Sequence, residues 1–291
     1  MFFSIIVTYN PDLNHIKSMC QPLLNRGINI ILYDNTAEKF DFSTIEDENI
    51  YKLGNGDNVG LAIAYNESIK FITNKFNCDE IECFLFYDQD SDIIEQNIGD
   101  LINEYLFIKE QNLPLGVFGA RPINKEGKFY NVRKVEKQKY FPNKFIEMEF
   151  VISSFSLVPY STIKKVGYYD EKLFIDLVDS EYSFRCSKNG LVNLMSKKVI
   201  FTHEVGERKG TLLGLRSFAI SSPIRNYYQA RNLILVGRDY KWYGFIIKKV
   251  SKRFIQVLLS AYYSGDLFQR LKYFFRGVLD GIKYKGGRID S

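Results

Sequence analysis

The sequence has 291 residues, of which 46% are hydrophobic and 25% are charged, so it can form one large domain or two of ordinary size. No run of about 18 apolar residues is present, which argues against a transmembrane helix. The four cysteines match no zinc-binding spacing and are expected to be reduced thiols. The apolar run after Met1 lacks the basic region and cleavage site of a signal peptide, so we expect a buried strand there.

The net charge of +5 is concentrated near the end of the chain. Residues 238–291 contain 12 Lys and Arg against 4 Asp and Glu, so they carry +8, whereas residues 1–237 carry −3. A nearly neutral body followed by a basic tail is informative about partners and not about the fold. The aromatic residues of the tail follow helical stripes, so we expect no nucleic-acid partner.

The beginning of the chain alternates between strand and helix patterns. A β-branched strand at residues 4–9 stops at Pro11, and apolar residues at helical spacing follow as far as Gly27. A second strand is expected at residues 28–33. Strand, helix and strand in so short a stretch predict a parallel βαβ unit with a right-handed crossover.

Further strands and helices continue this pattern. A short strand at residues 50–53 precedes a glycine-rich loop at 54–60 and a helix with one apolar stripe. Another strand ends at Asp88, a helix follows at 94–108, and a strand is expected at 114–120. Two interpretations of the loop stay open, an anion-binding helix start and an ordinary N-cap. The whole predicts a doubly wound α/β half.

Two carboxylates follow the buried strand that ends at Asp88. Asp88 and Asp90 are separated by one residue, so both side chains can point to the same face just past the end of the strand. Ligands of open α/β sheets bind at that edge, and two oxygen donors suit Mg²⁺ or Mn²⁺ carried by a diphosphate. The alternative is a solvated acidic turn without a ligand.

A second acidic cluster contains Asp176, Asp179 and Glu181. A helix that opens near Asp179 would place these acids in its first turn, where the helix dipole tolerates negative charge. Acids beside apolar residues can have raised pKa values, which suits a general base. A capping box around Asp179 with solvated acids is the alternative.

Several segments together resemble a known family. In order they are Ile-Val-Thr-Tyr-Asn-Pro at 6–11, Tyr-Asp-Asn at 33–35, Asn-Val-Gly-Leu-Ala-Ile-Ala-Tyr-Asn at 58–66, Asp-Gln-Asp-Ser at 88–91, Phe-Ile-Asp-Leu-Val-Asp-Ser-Glu at 174–181, His-Glu-Val-Gly at 203–206 and Tyr-Gln-Ala-Arg-Asn at 228–232. This series resembles the family 2 glycosyltransferases, and within that family it is most similar to bacterial rhamnosyltransferases.

The resemblance implies a fold and a division of the chain. The expected fold class is α/β, a GT-A (Rossmann-like) mixed, mostly parallel sheet flanked by helices, with a C-terminal amphipathic helical tail. The catalytic domain would cover residues 1–237, with a nucleotide-sugar half at about 1–120 and an acceptor half at about 121–237. Residues 238–291 would be the basic helical region.

The resemblance also implies roles for individual residues. Asp179 would be the catalytic base, and the metal, Mg²⁺ or Mn²⁺, would be held by Asp90 with Asp88 and His203. The nucleotide and its diphosphate would be bound by Thr8, Tyr9, Asn10, Asp34, Asn58, Asn66, Asp88 and Arg231. In this set Asp34 would accept a hydrogen bond from the base, and Arg231 would neutralise the leaving diphosphate.

Two positions depart from the pattern of the family. The usual Glu-Asp pair is Val178-Asp179 here, so only one carboxylate stands at that step. The usual small-residue acceptor loop is Ser153-Ser154-Phe155, and its bulk is expected to narrow the choice of acceptor.

The implied reaction is an inverting, metal-dependent transfer of L-rhamnose from dTDP-L-rhamnose to a hydroxyl of a growing cell-surface polysaccharide linked to polyprenyl diphosphate. A galactofuranosyl- or hexosyltransferase of the same fold is the first alternative. A nucleotidyltransferase or nucleotide-binding module is the alternative from another class, and a non-catalytic scaffold of the same fold is a third. The protein would act in the cytoplasm, peripherally at the inner face of the cell membrane.

The basic tail contains two amphipathic helical patterns. In the second, apolar residues recur between Leu267 and Ile282, with Arg270, Lys272, Arg276 and Lys283 expected on the opposite face. The first pattern covers residues 246–261. A basic helix with a wide aromatic face can lie in the membrane interface. The helices could instead pack on the catalytic domain, or on each other across a homodimer.

Overall fold

A computed structural model describes residues 1–38, 40–130, 132–203, 208–211 and 217–289, with side chains omitted at 208–211 and 217–219. The chain forms two compact units. The first unit contains residues 1–170 and 179–203, and the second contains residues 171–178 and the chain after His203. The chain therefore passes between the units three times, after residues 170, 178 and 203.

An eight-stranded sheet is the centre of the first unit. Its strands are β1 (Phe2–Thr8), β2 (Asn29–Asp34), β3 (Ile50–Leu53), β4 (Cys83–Asp88), β5 (Leu115–Ile123), β6 (Phe145–Glu147), β7 (Ser156–Pro159) and β8 (Val192–Thr202). The spatial order is β3-β2-β1-β4-β7-β5-β8-β6. The pairs β3-β2, β2-β1, β1-β4 and β5-β8 are parallel, and β7 and β6 pair antiparallel to their neighbours. The predicted mixed, mostly parallel sheet is confirmed.

The order of the strands reverses at β1. From β1 the chain moves outward to β2 and β3, and it then returns to place β4 on the other side of β1. Parallel strands that diverge in this way open a crevice beyond their carboxyl ends, where ligands of doubly wound sheets bind. Thr8 and Asp88 end the two strands at that crevice.

Helices cover both faces of this sheet. They are α1 (Leu13–Leu24), α2 (Leu61–Lys75), α3 (Glu95–Glu110), α4 (Tyr160–Val166) and α5 (Val178–Lys188). One face buries Ile6, Leu32 and Leu85 in a cluster with apolar residues of α1 and α3. On the other face, Phe86 packs on Tyr65 of α2 with ring centroids 4.7 Å apart. Alternate residues of the strands therefore pack into two apolar layers, one on each face of the sheet, as expected for buried strands.

The predicted elements of this unit are present, with shifted ends. The helix expected to run to Gly27 ends at Leu24, and Gly27 has a φ of 66° in the turn that leads to β2. Asp12 begins that helix because its carboxylate accepts the backbone N–H of Asn14 at 2.8 Å.

The second unit is largely helical. Its elements are a hairpin of β9 (Arg208–Thr211) and β10 (Ser217–Ala219), followed by α6 (Pro223–Asp239), α7 (Tyr243–Ser264) and α8 (Leu267–Ile282). Glycines let α8 approach α6 closely, because a Cβ on Gly277 would lie 2.3 Å from the carbonyl oxygen of Tyr227. The two predicted amphipathic helices are thus confirmed as α7 and α8.

The face that α8 buries differs from the predicted one. The buried residues are Arg270, Phe274, Gly277 and Gly281, whereas Phe268 is 82% exposed. Arg270 was expected on a solvated face, but its guanidinium donates to Asp266, to Ser264 and to the carbonyl oxygen of Ser221 at 2.6 Å. The prediction was wrong because glycines, which have no apolar side chain, make the packing face.

The predicted boundary after residue 237 falls inside the second unit. Residues of α6 pack with both α7 and α8, since Ala230, Val257 and Phe274 share one apolar cluster. Whether residues 1–237 form a catalytic domain by themselves stays a prediction. Within the described parts of the chain, no helix combines the length and the apolar composition needed to cross a membrane.

Candidate active site

The carboxyl ends of β1 and β4 are tied together by one glutamine. The backbone N–H of Tyr9 donates to Oε1 of Gln89 at 2.6 Å, and Nε2 of Gln89 donates to the carbonyl oxygen of Tyr9 at 3.1 Å. The main chain beyond β1 is therefore fixed against the segment that carries Asp88 and Asp90. Sequence analysis did not assign this role, although the position of Gln89 between two aspartates marked the segment.

A tight turn orders the two carboxylates after β4. The backbone N–H of Ser91 donates to the carbonyl oxygen of Asp88 at 3.0 Å. The hydroxyl of Ser91 lies 3.1 Å from that of Ser154, and both serines are buried. Asp88 is half-buried and Asp90 is exposed, so both remain accessible at the predicted edge of the sheet.

Asp179 lies in the first turn of α5, as predicted for the catalytic base. Its carboxylate accepts the backbone N–H of Ser180 at 2.7 Å and also a backbone N–H from Ser153. The pKa of Asp179 is raised from 3.8 to about 6, because burial and the nearby charge of Asp88 together outweigh the lowering effect of these hydrogen bonds. The side chain is half-buried, so it keeps some access to solvent.

The other two acids of that cluster are engaged in ion pairs. Glu181 accepts two hydrogen bonds from Arg185 one helical turn later, at 2.9 and 3.0 Å. Asp176 accepts from Arg225, with the shortest distance 3.0 Å. Within the described residues, Asp179 makes no such ion pair and has a raised pKa, which is the property a general base needs.

His203 follows β8 directly and faces the same group of carboxylates. Burial lowers the pKa of His203, while the charges of Asp90 and Asp179 act in the opposite direction. The backbone N–H of His203 donates to the carbonyl oxygen of Ile123 at 2.9 Å. The carbonyl oxygen of His203 accepts from the hydroxyl of Tyr130 at 2.7 Å. These two bonds fix the backbone of His203, and the lowered pKa favours a neutral imidazole.

Electrostatic interactions therefore connect four of the predicted site residues. The charge of Asp88 raises the pKa of Asp179, and the charges of Asp90 and Asp179 act to raise that of His203. The structure brings these four side chains together from β4, α5 and the end of β8. Glu204, Val205 and Gly206, which belong to the same matching segment as His203, lie outside the described residues.

These residues fit a metal that arrives with its ligand. Among the side chains that the structure describes, no group of three or more His, Cys, Asp or Glu is assembled for an ion. Mg²⁺ commonly uses one or two carboxylates and completes its shell with substrate phosphates and water. The half-buried Asp88 and the exposed Asp90 match that mode of binding, whereas a cage made of protein ligands alone does not match.

Asp34 organises the loop after β2. One oxygen of its carboxylate accepts the backbone N–H of Thr36 at 3.1 Å, and the other accepts that of Phe40 at 2.6 Å. The residue is only 2% exposed. Each carboxylate oxygen keeps a second lone pair, so the contact of Asp34 with a nucleotide base stays a prediction.

Thr8 and Asn66 are also directed into the protein. The hydroxyl of Thr8 donates to the carbonyl oxygen of Tyr33 at 3.3 Å, and the residue is fully buried. The amide of Asn66 bonds both the N–H and the carbonyl oxygen of Tyr169 at 2.9 Å. Both side chains stabilise neighbouring segments in this conformation, and their contacts with the nucleotide stay predictions.

Tyr9, Asn10 and Asn58 remain at the surface of the crevice. Tyr9 is 49% exposed, and Asn10 has a φ of 47° with its N–H donated to the hydroxyl of Thr36. The side chain of Asn58 accepts the N–H of Gly60 at 3.2 Å. These three keep their predicted role as candidate nucleotide contacts.

The loop before α2 is organised by Asn35, whose role was missed. Its side-chain oxygen accepts the backbone N–H groups of Val59 and Gly60 at 2.8 and 3.3 Å. These two donors are engaged within the protein, so the interpretation of the loop as an anion-binding turn is weakened. The Asn that follows the β2 aspartate in the sequence was the available signal.

The side chains of Arg231 and Phe155 are both buried. Arg231 is 0% exposed, and its guanidinium donates to backbone carbonyl groups of the second unit. Its role at the leaving diphosphate stays a prediction that this conformation does not favour. The ring of Phe155 is buried between those of Tyr87 and Phe201, with ring centroids 4.9 and 5.5 Å apart. Phe155 therefore fills the core and does not narrow the space for an acceptor.

Comparison with solved structures defines the class of protein. The chain is similar to S. aureus TarS 1–349 in complex with UDP-GlcNAc, with a TM-score of 0.59 and 15% identity over 97% of this chain and 80% of that chain. It is also similar to GalNAc-T7 with UDP, GalNAc and Mn²⁺, with a TM-score of 0.54 and 13% identity over 82% of this chain. It spans about half, 47%, of the GalNAc-T7 chain. The protein has the GT-A fold.

The whole sequence has a curated relative with a named activity. The chain is 27% identical to the dTDP-rhamnosyl transferase RfbF of Shigella flexneri, over 99% of this chain and 98% of the relative. It matches no protein-family model. Fold and full-length similarity together identify the chain as a glycosyltransferase that resembles a bacterial rhamnosyltransferase.

Proposed function

We propose that the protein transfers L-rhamnose from dTDP-L-rhamnose to a hydroxyl group of a saccharide acceptor, with inversion at the anomeric carbon. The observation that carries this proposal is the position of Asp179, whose pKa is raised to about 6 beside the carboxylates that follow β4. The full-length relative whose name includes dTDP-rhamnose supports the choice of donor.

The proposed chemistry is a single displacement. Asp179 takes the proton of the acceptor hydroxyl while that oxygen attacks the anomeric carbon. The bond between this carbon and the diphosphate oxygen breaks as the new bond forms, and dTDP leaves with both electrons. Attack from the face opposite the leaving group inverts the anomeric centre.

A divalent cation fits this site as a partner of the diphosphate. Asp88 and Asp90 would hold Mg²⁺ or Mn²⁺, and His203 is placed near both Asp90 and Asp179. When bound, the cation would supply charge stabilisation to the departing diphosphate. With Arg231 buried in the second unit, this electrostatic contribution falls to the residues after β4 and to the cation.

We also propose that α7 and α8 hold the protein on the surface of an anionic membrane, where a lipid-linked acceptor would lie. Large apolar side chains are exposed on both helices, and the most exposed are Ile247 at 70%, Tyr262 at 76% and Phe268 at 82%. Phe268, Phe275, Leu279 and Ile282 recur at helical spacing, so they form one outward stripe of α8. Apolar side chains clustered on the surface favour an interaction partner.

Basic residues beside these stripes select the kind of partner. Lys248 and Lys252 on α7, and Lys272 and Lys283 on α8, are exposed next to the apolar side chains. A helix with exposed aromatics and flanking lysines can lie in the interface of a bilayer, and each Lys near anionic lipid adds roughly 1 kcal/mol of binding free energy. The same lysines argue against a dimer formed through this surface, because the lysines of one copy would then face those of the other.

The donor is tested with a panel of sugar nucleotides. The full chain is incubated with dTDP-L-rhamnose, UDP-glucose, UDP-GlcNAc and a UDP-galactofuranose in Mn²⁺, and the released nucleoside diphosphate is measured. We expect release from dTDP-L-rhamnose at least about ten-fold above the others. Preferential release from a UDP-sugar would overturn the choice of donor and leave the class of enzyme intact.

Membrane contact is tested by flotation with vesicles that contain an anionic phospholipid. The variant Ile247→Ser/Phe268→Ser/Phe275→Ser replaces exposed side chains only, so it preserves the packing of α8 on α6. We expect the wild type to float and the variant to remain in the lower fraction. A truncation after residue 237 is unsuitable, because it would uncover the face of α6 that α8 buries. Negligible flotation of the wild type would contradict the proposal.

A further inference from the structure

The loop that leads into α5 has an unusual backbone. Phe174, Asp176 and Leu177 have φ values of 58°, 64° and 64°, in the left-handed region that side chains with a Cβ disfavour. Val178 begins α5 and Asp179 follows it. Three strained residues therefore directly precede the proposed catalytic base, and such a loop persists only if neighbouring groups stabilise it.

Asn232 of α6 holds this loop through its backbone. Its Nδ2 lies 2.8 Å from the carbonyl oxygen of Leu173, 2.7 Å from that of Ile175 and 2.8 Å from that of Asp176. The residue is fully buried. The two N–H bonds of this amide are thus shared among three carbonyl oxygens that regular secondary structure does not engage.

Arg231 supports the same loop from the adjacent position. Its Nη2 donates to the carbonyl oxygens of Lys172 and Leu173 at 2.9 and 3.1 Å, and its Nη1 donates to that of Gly287. Its Nε donates to the amide oxygen of Asn232 at 2.9 Å. This last bond fixes the orientation of the Asn232 amide, so that its nitrogen faces the loop.

Two side chains of the loop are also anchored on α6. The ring of Phe174 stacks on that of Tyr228, with centroids 4.8 Å apart and an interplanar angle of 13°. The carboxylate of Asp176 pairs with Arg225. Residues 225, 228 and 232 lie on one face of a helix because they are spaced by three and four. One face of α6 therefore holds the loop by both backbone and side chains.

We infer that Asn232 and Arg231 are positioning residues for glycosyl transfer, which hold the left-handed loop in the conformation that presents Asp179. This inference rests on the proposed function of Asp179. Neither residue contacts substrate in this account, and each acts through the backbone between Lys172 and Leu177. It gives a role to the buried Arg-Asn pair that the diphosphate assignment did not explain.

The test compares two asparagines of the same helix. Asn232→Ala removes the donor to the loop, whereas Asn226→Ala removes a similarly buried amide that accepts from the hydroxyl of Ser221. We expect Asn232→Ala to lower kcat on the order of 10- to 100-fold, because a displaced catalytic group loses alignment. KM for the sugar nucleotide should change less than about two-fold, since the kcat effect requires only misplacement of the base. Asn226→Ala should leave kcat nearly unchanged.

Thermal unfolding separates positioning from general damage. Asn232→Ala removes more hydrogen bonds than Asn226→Ala and should lose more stability. The kcat values are therefore compared at a temperature well below both unfolding midpoints, where both variants are folded, so a kcat effect confined to Asn232→Ala cannot come from unfolding. If Asn232→Ala does not fold, Asn232→Ser, which keeps one hydroxyl donor, replaces it with a smaller expected loss of about 3- to 10-fold. Equal kcat values for the position-232 and position-226 variants would overturn the inference.

Asp179→Asn is measured in parallel to keep the two proposals apart. If Asp179→Asn is inactive and the position-232 variant is fully active, the positioning inference fails and the proposed function stands. If Asp179→Asn is fully active, the assignment of the base fails. A kcat loss in Asn232→Ala would then not be attributable to Asp179, and the inference would fall with the assignment.

Discussion

The candidate site of the first unit and the helical packing of the second unit use charged side chains in different ways. In the first unit, Asp88, Asp90 and Asp179 remain half-buried or exposed at the edge of a sheet whose strands have a buried apolar core. In the second unit, Arg231 and Arg270 are buried and hydrogen-bonded, while Phe268 lies almost entirely in solvent. The acids of the candidate site are thus accessible, whereas these two guanidinium groups are enclosed.

This contrast separates chemistry from positioning and docking. A charged group can act on a substrate only if its hydrogen-bonding capacity is not already used within the protein, as it is for Arg231. A buried guanidinium is tolerated only with full hydrogen bonding, which makes it a rigid connector. Exposed aromatic side chains have a free-energy cost in water, and contact with a lipid surface would remove it.

The largest expected effect in the first unit comes from Asp179→Asn. The variant keeps the shape of the side chain and removes its ability to accept a proton. We expect kcat to fall on the order of 10²- to 10⁴-fold with little change in donor affinity. Glu181→Gln, on the same helix, serves as the matched control and should keep most of its turnover. The opposite ranking of these two variants would show that the wrong carboxylate was chosen.

The second expected effect concerns metal-dependent binding of the nucleotide. Calorimetry should show that Mn²⁺ raises the affinity of the wild type for dTDP by about ten-fold or more. Asp90→Ala should lose this Mn²⁺-dependent gain in affinity. Asp92→Ala removes an exposed aspartate two residues away, and this variant should keep the Mn²⁺-dependent gain in affinity. A Mn²⁺-dependent gain retained by Asp90→Ala would contradict the metal assignment.

The third expected effect tests the packing of the second unit. Gly277→Ala would place a Cβ against the backbone of Tyr227, so we expect the free energy of unfolding to fall by about 1–3 kcal/mol in urea titrations. Gly244→Ala meets no atom within 4 Å and should be neutral or stabilising by up to about 1 kcal/mol. Equal stabilities of the two variants would mean that α8 does not pack closely on α6.

The smallest expected effect is the pH dependence of stability. The pKa of Asp179 is raised from 3.8 to about 6, so ionisation of this group destabilises the folded state. The destabilisation should grow as pH rises from about 4 to about 6 and stay constant above that. Asp179→Asn should then be more stable than the wild type by about 1–2 kcal/mol at pH 7.5, since solvent access lowers the limit of about 3 kcal/mol.

Stability at low pH provides the control for that comparison. Below about pH 3 the wild-type carboxylate is largely protonated in both the folded and the unfolded state, so the two proteins should differ little. A variant that is less stable than the wild type at every pH would mean that Asp179 contributes to folding and that burial does not raise its pKa.

Much of the fold followed from local patterns in the sequence. The strands and helices of the first unit have strong apolar periodicity, and the position of Asp88 after a buried strand was enough to place it at the edge of the sheet. The cluster of acids beside apolar residues suggested raised pKa values, and the resemblance to the family singled out Asp179 among them. Such inferences succeed where one segment determines both the structure and the position of the side chain.

The sequence was less informative where tertiary contacts decide the direction of a side chain. Asp34 and Asn66 have the residue types of nucleotide ligands, but their hydrogen-bonding groups are used by neighbouring backbone. Arg231 was assigned to a phosphate, and the structure directs it to the left-handed loop before α5. The sequence carried no sign that Phe174, Asp176 and Leu177 would need such support.

The most direct test of the contrast between the units measures two properties on two variants. Release of dTDP from dTDP-L-rhamnose, with water as acceptor, reports on the first unit, and flotation with anionic vesicles reports on the second. We predict that Asp179→Asn loses dTDP release and still floats, whereas Ile247→Ser/Phe268→Ser/Phe275→Ser releases dTDP at the wild-type rate and does not float. Loss of both properties in either variant, or of neither in both, would contradict the separation of chemistry from docking.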